Sequence, residues 1–381
     1  MESYDIIVIG GGIVGLSAAI AMSKHNFTVS LIDAGGLTAT IPDTPDVRVY
    51  AINQSSEALF RELEVWDLLE QKRLSPYAHM HIWDAASNAT IDFDARMIAK
   101  DKLGTIVEES VLKVALLQKA RESGIHLLSE NKVSGVSLIN QTMHLQCGEN
   151  TWKSKLLMVA DGANSHTRDL LGVSINQWSY HQTALVANVE TQHSHEKTAY
   201  QVFNPSGPLA FLPLANQNQC SIVWSLPPAR AESLMAMGEE EFCKHLQEAF
   251  AKKLGNVNLL GKRHSFPLTM RHAKRYTGDY WLLLGDAAHT IHPLAGLGLN
   301  VGLADVQNFS RLFEDKKNLH SRKLLGSYQR QRKYEVWQII AAMQTLKGIF
   351  ANPLLTGIRS VGLNCINQLD FVKRFFIQAA G

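Results

Sequence analysis

Tyr280-Trp-Leu-Leu-Leu-Gly-Asp-Ala-Ala-His-Thr-Ile-His-Pro-Leu-Ala-Gly-Leu-Gly-Leu-Asn-Val-Gly-Leu-Ala-Asp305 has two halves with different physical demands. Tyr280 to Leu284 is a short apolar run of the kind that forms a strand buried on both faces. Gly285 and Asp286 end it with a small residue and a carboxylate. After Pro293, the residues Gly296, Gly298, Leu299, Asn300 and Gly302 form a glycine-rich approach to a helix expected from about Leu297. A helix N-terminus reached through glycines presents free backbone N–H groups to an electron-rich ligand. The carboxylate can accept hydrogen bonds from sugar-like hydroxyls. An ordinary tight turn needs none of these features together.

Two other stretches repeat this logic. Tyr4 to Ile9 reads as a buried parallel strand that runs into Gly10-Gly-Gly12-Ile-Val-Gly15 and a helix from Leu16 to Lys24. A second strand, Val29 to Ile32, ends at Asp33. A G-x-G-x-x-G pattern between strand and helix, with an acid closing the next strand, points to a dinucleotide. Gly10 serves the tight turn, Gly12 the approach of a pyrophosphate and Gly15 the packing of helix on sheet, while Asp33 is suited to ribose hydroxyls. Lys155 to Ala160 is a further buried strand, ending in Asp161-Gly162-Ala-Asn-Ser165 and then Arg168. The turn-rich segment 34–47 leads to Arg48, placed where it can meet a phosphate or remain a solvated loop arginine.

Between these stretches the periodicity predicts helices over Glu57–Leu69 and Val107–Ser123, with hairpin strands between His79 and Phe93. Short strands are expected near Ile125–Leu128, Val133–Ile139 and Thr142–Gln146. From Tyr180 to Pro228 alternation dominates, and four strands of one antiparallel sheet are expected there. A helix over Glu239–Leu254 and a strand near His264–Met270 follow. The expected division is residues 1–72, 100–175 and 278–325 in a nucleotide-binding lobe, 73–99 and 176–277 in an inserted lobe, and 326–381 in a helical tail. Within that tail Leu354 to Phe376 mixes apolar residues with Arg359, Lys373 and Arg374. It suits either a membrane surface or packing on the protein's own core or a sister subunit.

Composition narrows the classes. A formal net charge of +2 with 19% charged residues leaves no footprint for nucleic acid. Cys147, Cys220, Cys243 and Cys365 are far apart, without CxxC or metal spacing, which suggests buried thiols in a reducing compartment. His289-x-x-His292 is the nearest approach to a metal pair, but Pro293 and the glycines break the helix that would aim both rings, so no metal is expected. The apolar run Ile6–Met22 follows Glu2 and Asp5 rather than a basic segment, so it does not read as a secretory signal. A cytoplasmic protein is expected, peripheral on the inner face of the cytoplasmic membrane if the tail meets lipid.

With these motifs in place, the whole chain resembles the flavin-dependent aromatic hydroxylases of the para-hydroxybenzoate hydroxylase fold, and more narrowly the hydroxylases of ubiquinone biosynthesis. The motifs are Gly10-x-Gly12-x-x-Gly15, Arg48-Val-Tyr-Ala-Ile-Asn53, Ala160-Asp-Gly-Ala-Asn-Ser165 with Arg168, and Gly285-Asp-Ala-Ala-His-Thr-Ile-His-Pro293 running on to Asn300. Arg48-x-x-Ala-Ile-Asn, Gln201-Val-Phe203 and Ser221-Ile-Val-Trp-Ser-Leu226 are most similar to the 2-octaprenylphenol hydroxylase branch, which acts at ring position 5.

The resemblance implies an α/β fold: a Rossmann-type FAD-binding domain with an inserted antiparallel-sheet substrate domain and a helical C-terminal tail. It implies FAD as cofactor, O2 as co-substrate, and NAD(P)H or a separate reductase as electron donor, since no second G-x-G-x-x-G is present. Asp286 would contact the flavin ribityl chain, and Arg48 the pyrophosphate. Pro293, Gly296, Gly298, Leu299 and Asn300 would line the isoalloxazine, while Asp161 and Gly162 would serve both flavin and nicotinamide. The implied chemistry is hydroxylation of a polyprenylphenol through a C4a-hydroperoxyflavin. His289 and His292 have the chemistry of a base for the phenol, and a purely structural role fits them equally. Two departures stand out: Leu297 replaces the family's usual Gln, and Glu109 replaces its usual Asn, bringing a carboxylate near the phosphates. A flavin dehydrogenase without oxygen insertion and a flavin-bearing scaffold of a quinone-biosynthesis assembly are the alternatives, and a homo-oligomer is compatible with all three.

Overall fold

A computed structural model describes residues 2–87, 89–291, 297–312, 319, 321–351 and 373. Its first sheet has five parallel strands in the spatial order Trp281–Leu283, Asn150–Val159, Ser3–Ile9, Val29–Ile32 and His126–Leu128. An antiparallel hairpin, Gly135–Ile139 and Thr142–Cys147, extends from Asn150–Val159. The middle strands are apolar runs because they are buried on both faces. The helix Ile13–Lys24 is buried nearly all round, from Ile13 through Met22, between this sheet and its neighbours. The helix Glu109–Glu122 buries Val111, Leu112, Ala115, Leu116 and Leu117 in the same core.

The second sheet has eight strands, ordered His289–Thr290, Val257–Ala273, Ile175–Thr191, Gln219–Leu226, Gly207–Pro213, Thr198–Asn204, His79–Asp84 and Thr90–Asp94. Only the pairing of Thr198–Asn204 with His79–Asp84 is parallel. One face is closed by the helices Pro228–Ala236 and Glu239–Ala249 over a core that includes Leu185, Phe211, Ile222, Trp224 and Phe242. A third, small sheet joins Val49–Asn53, Gly104–Glu108 and Ser75–Tyr77. Its residues Ala51, Tyr77 and Ile106 pack with Ala199 of the second sheet. Cys147, Cys220 and Cys243 are buried free thiols, and Cys365 lies outside the described residues. None of the described helices is long and apolar enough to cross a membrane.

Several boundaries differ from the periodicity reading. Val107 is in a strand, and the helix begins at Glu109. Val107 and Val111 have helical spacing, but strand pairing with Val49–Asn53 wins over local pattern there. The helix expected over Glu57–Leu69 runs Gln54–Glu62, ending before Glu64 at a left-handed φ of 58°. Tyr280 also has a positive φ, 66°, so the apolar run yields a strand only from Trp281 to Leu283. The helix expected to reach Leu254 stops at Ala249, and the strand expected near His264–Met270 extends over Val257–Ala273. Periodicity gives no sign of the helix Pro228–Ala236; proline at its first position marks the start. The long helix Arg322–Ala351 begins the tail, while Leu354–Phe376, apart from Lys373, lies outside the described residues.

Candidate functional site

Strand register brings the three motifs to one edge. Leu283 is opposite Val159, Val159 is opposite Ile9, and Ile9 is opposite Ile32, so four neighbouring strands end in one row. The next residues along each chain are therefore side by side: Leu284–Gly285, Ala160–Asp161, Gly10 and Asp33. Ladder bonds continue one step past the row, from the Leu284 amide to the Val159 carbonyl, from Ala160 to Ile9 and from Gly10 to Ile32, all within 2.8–2.9 Å. Carboxyl ends of parallel strands are where open α/β sheets bind ligands.

Close packing then draws two helix N-termini together at this edge. A Cβ on Gly15 would lie 1.9 Å from the Gly10 carbonyl oxygen, so only glycine lets the first helix descend onto the turn. A Cβ on Gly302 would meet the Val14 side chain at 2.9 Å, and one on Gly285 would meet it at 3.2 Å. The helices Ile13–Lys24 and Leu297–Arg311 thus interlock beside the Gly285 turn. By contrast, a Cβ on Gly12, Gly162 or Gly298 would meet nothing within 4 Å among the described residues. The protein leaves open space at three glycines where a ligand is expected to approach. Asp161 adds a buried carboxylate oxygen, Oδ1, with no hydrogen-bond partner among the described residues, while its Oδ2 accepts from the Thr167 amide at 3.1 Å. Such an orphan acceptor in a lined recess is what a hydroxyl-rich ligand would complete.

The individual side chains are placed as follows. Asp33 accepts from the Gly11 amide at 2.6 Å and the Gly35 amide at 2.8 Å, which leaves lone pairs on both oxygens for a sugar. Arg48 is exposed, 3.6 Å from the Glu109 carboxylate, so the acid that departs from the family pattern is paired with the arginine. Asp286 is exposed, and desolvation nonetheless pushes its pKa up against the pull of His289, Arg48 and Arg271. Asn300 is buried: its amide nitrogen donates to the Ala51 carbonyl at 2.8 Å, and its oxygen accepts from the Asn53 amide at 3.2 Å. It clamps the Arg48–Asn53 motif to the helix Leu297–Arg311. Leu299 and Gly298 are half-buried on the first turn of that helix. His292, Pro293 and Gly296 lie outside the described residues, as does the side chain of Leu297.

His289 is buried, with Nε2 at 2.8 Å from Asp305 Oδ2. The same oxygen accepts from the Gly285 amide at 2.8 Å, and Oδ1 accepts from Arg332 Nε at 2.6 Å. Burial pushes the Asp305 carboxyl up, but His289 and Arg332 outweigh it and hold it below the usual carboxylate range. This network holds the Gly285–Asp286 turn in shape, and it takes up the Nε2 position of the His289 ring. Arg168, also buried, ties two motifs together by donating through Nη1 to the carbonyls of Ala163 and Ala287 at 3.3 and 3.2 Å. Asp305 and Arg332 are supports of the site that the motif reading does not identify. The available signal is the single acid of the helix, set in the apolar run Gly302-Leu-Ala-Asp305-Val306, where it requires a cation from elsewhere in the chain.

The Gly285 turn also enters the second sheet. His289 is opposite His272, and the Ala273 amide donates to the Ala288 carbonyl at 2.8 Å. One turn therefore faces the dinucleotide edge on one side and the large antiparallel sheet on the other.

Comparison with known proteins agrees with this geometry. A family profile described as "FAD binding domain" matches residues 3–343. The chain is 34% identical to 3-demethoxyubiquinol 3-hydroxylase of Escherichia coli (strain K12), covering 98% of this chain and 97% of that protein. It is 31% identical to the mitochondrial ubiquinone biosynthesis monooxygenase COQ6 of Mus musculus, over 97% of this chain and 89% of the relative. Among solved structures, p-nitrophenol 4-monooxygenase PnpA from Pseudomonas putida DLL-E4 superposes with a TM-score of 0.80 at 19% identity, over 99% of this chain and 98% of that one. This last likeness is one of fold.

Proposed function

The chain belongs to the FAD-binding family of flavin-dependent monooxygenases, among the hydroxylases of ubiquinone biosynthesis, and from that premise we propose that it hydroxylates a polyprenylphenol precursor at ring position 5. The observation that supports the reading is the shared turn Gly285–Thr290, which ends the flavin-type recess and then joins the edge of the large sheet, with Ile291 and Val301 packed against Val186 and Val223 of that sheet. In this reading Gly10, Gly12 and Gly15 admit the pyrophosphate to a helix N-terminus, and Arg48 pairs with it. Asp33 takes the adenosine ribose, Asp286 the ribityl chain, and Asp161 with Gly162 the hydroxyl-rich middle of the cofactor. Gly296, Gly298, Leu299 and Asn300 border the ring, where the helix dipole favours negative charge.

When bound and reduced, FAD activates O2 so that one oxygen atom can pass to an electron-rich ring. The protein's own part is to orient the ring, exclude water and hold the turn rigid. Asp305 and Arg332 do the last of these through Gly285 and His289. NAD(P)H or a reductase supplies the electrons. Because each buried methylene contributes about 0.8 kcal/mol to leaving water, a polyprenyl substrate stays with a membrane or a lipid-carrying partner. We assign that contact to Leu354–Phe376, on its sequence alone.

The name of the Escherichia coli relative favours a second reading, in which the ring is a demethoxyquinol and the carbon is position 3. Lipid extracts from a deletion strain separate the two. Accumulation of a polyprenylphenol that incorporates label from 18O2 on re-expression supports position 5, whereas accumulation of a demethoxyquinol supports position 3. An unchanged quinone profile refutes both.

A further inference from the structure

Two motifs remain outside the cofactor site: Gln201-Val-Phe203 and Ser221-Ile-Val-Trp-Ser-Leu226. They lie on strands Thr198–Asn204 and Gln219–Leu226, separated by Gly207–Pro213. Alternation along each strand assigns their side chains to faces. Val202, Ile222 and Trp224 belong to the core beneath the two covering helices, with Tyr200 packed against it. Gln201 and Val223 therefore point to the opposite face, the one turned toward the Gly285 turn.

Register places these residues in a row. Val186 is opposite Val223, Val223 is opposite Ala210, and Ala210 is opposite Gln201. The row is bracketed by groups from the cofactor site. At one end Val186 and Val223 pack with Ile291 and Val301, which stand on either side of the glycine-rich approach to the helix. At the other end Ala199, two residues before Gln201, packs with Ala51, whose carbonyl is held by Asn300. Yet Val186, Ala210 and Val223 stay half-buried in the middle of an eight-stranded sheet, so this face is not packed shut. Gln201 is 9% exposed, and its side-chain amide, which no hydrogen bond ties to another described side chain, is not among the sealed polar groups of this sheet, so it opens onto the space along this face. An amide that opens onto such a face can donate to or accept from a ligand lying against it.

The geometry points to Gln201 as the residue that hydrogen-bonds the ring hydroxyl of the phenol, with Val186, Val223 and Ala210 against the ring face. The inference rests on the substrate class proposed above and adds the contact that sets its orientation. An amide can donate to a phenol oxygen or accept from its proton without fixing a charge. The flanking positions on this face are Ala184, Ser225, Pro208 and Phe203 on one side and Asn188, Ser221, Leu212 and Ala199 on the other. None of these is charged; beyond the row's ends, Ile82 beside Gln201 is apolar and His264 beside Val186 is exposed, so at the Gln201 end the hydroxyl of a neutral phenol suits this face.

The test uses the FAD-loaded full chain and two probes, 2-geranylphenol and geranylbenzene, which differ by one hydroxyl. Binding is read from perturbation of the flavin spectrum in wild type, Gln201→Leu and Gln201→Met. Flavin content of each variant confirms that it has folded. The expected result is about a tenfold weaker Kd for 2-geranylphenol in both variants, the size of one hydrogen bond, with geranylbenzene unchanged. Equal weakening of both probes, or of neither, overturns the role of Gln201 while leaving the substrate class standing. Failure of wild type to bind 2-geranylphenol refutes the substrate class and this inference with it.

Discussion

Replacing Asp305 by Ala would strand a guanidinium. The carboxylate is fully buried and accepts from Arg332 Nε at 2.6 Å, His289 Nε2 at 2.8 Å and the Gly285 amide at 2.8 Å. Arg332 is itself 3% exposed, so bulk water does not solvate the guanidinium once its partner is lost. Its remaining bonds are to the Val301 carbonyl at 3.0 Å and to Glu335, which is partly open to solvent. Removing one member of a buried pair costs about 3–5 kcal/mol, a large share of the total stability of a protein. Asp305→Asn keeps the volume and one acceptor and is expected near the lower end; Asp305→Ala is expected near the upper. Urea unfolding followed by circular dichroism measures the loss, and FAD titration measures the accompanying fall in affinity as the Gly285 amide is released. Asp305→Leu combined with Arg332→Met removes both charges and should recover the part of the loss due to the unpaired guanidinium, but not the part due to the Gly285 amide and His289, which still lack their acceptor. The pH dependence has a definite sign. A carboxyl depressed by folding contributes stability above its unfolded pKa, about 3.9, which is lost as pH falls through the lower folded value, so the variants should lack that part of the acid limb. A loss below about 1 kcal/mol for Asp305→Ala, or a double variant no better than the single one, would refute this account of the network.

Three further outcomes follow from the same geometry. Gly12→Val should fold but bind no FAD, because its side chain enters space with no described atom within 4 Å, whereas Gly15→Val should fail to fold against the Gly10 carbonyl at 1.9 Å; flavin absorbance and thermal unfolding distinguish them. Asp286→Asn should stabilise the protein without FAD above the usual carboxylate pKa, since desolvation disfavours the charge it removes, while weakening FAD binding; unfolding with and without FAD shows whether the two effects oppose. His272 is 1% exposed, and burial, then Lys333 and His289, push its pKa down to about 4 from 6.5. It therefore contributes stability that is complete above its unfolded pKa and is lost, by about 3 kcal/mol, as pH falls toward the folded value, and His272→Phe should flatten that limb of the unfolding profile.

The parts of this site that are legible in the sequence are those set by local physics. Gly10–Gly15, Asp161–Gly162 and Gly285–Asp286 each follow an apolar strand, and the need for small residues at those turns is written within a few positions. What escapes depends on contacts between distant segments. Asp305 and Arg332 meet across two helices, and neither neighbourhood hints at the other. The row from Val186 to Gln201 exists only once four strands have taken their register. Val107 reads as helix from its spacing to Val111 and becomes strand because Val49–Asn53 is available to pair with it.

The order of the strands has a consequence for how the chain is made. Asn150–Val159 pairs with Trp281–Leu283, and the whole antiparallel lobe is synthesised between them. Until the later strand arrives, one edge of the parallel sheet has no partner, and the Gly285 turn, Asp305 and Arg332 have yet to leave the ribosome. The binding edge for the cofactor is thus among the last features to close. A nascent chain holding Gly10–Gly15 and Asp161 would offer half a cradle beside an open, apolar sheet edge, which is prone to wrong pairing. Supply of FAD late in synthesis, rather than early, would decide how much of the chain escapes that fate.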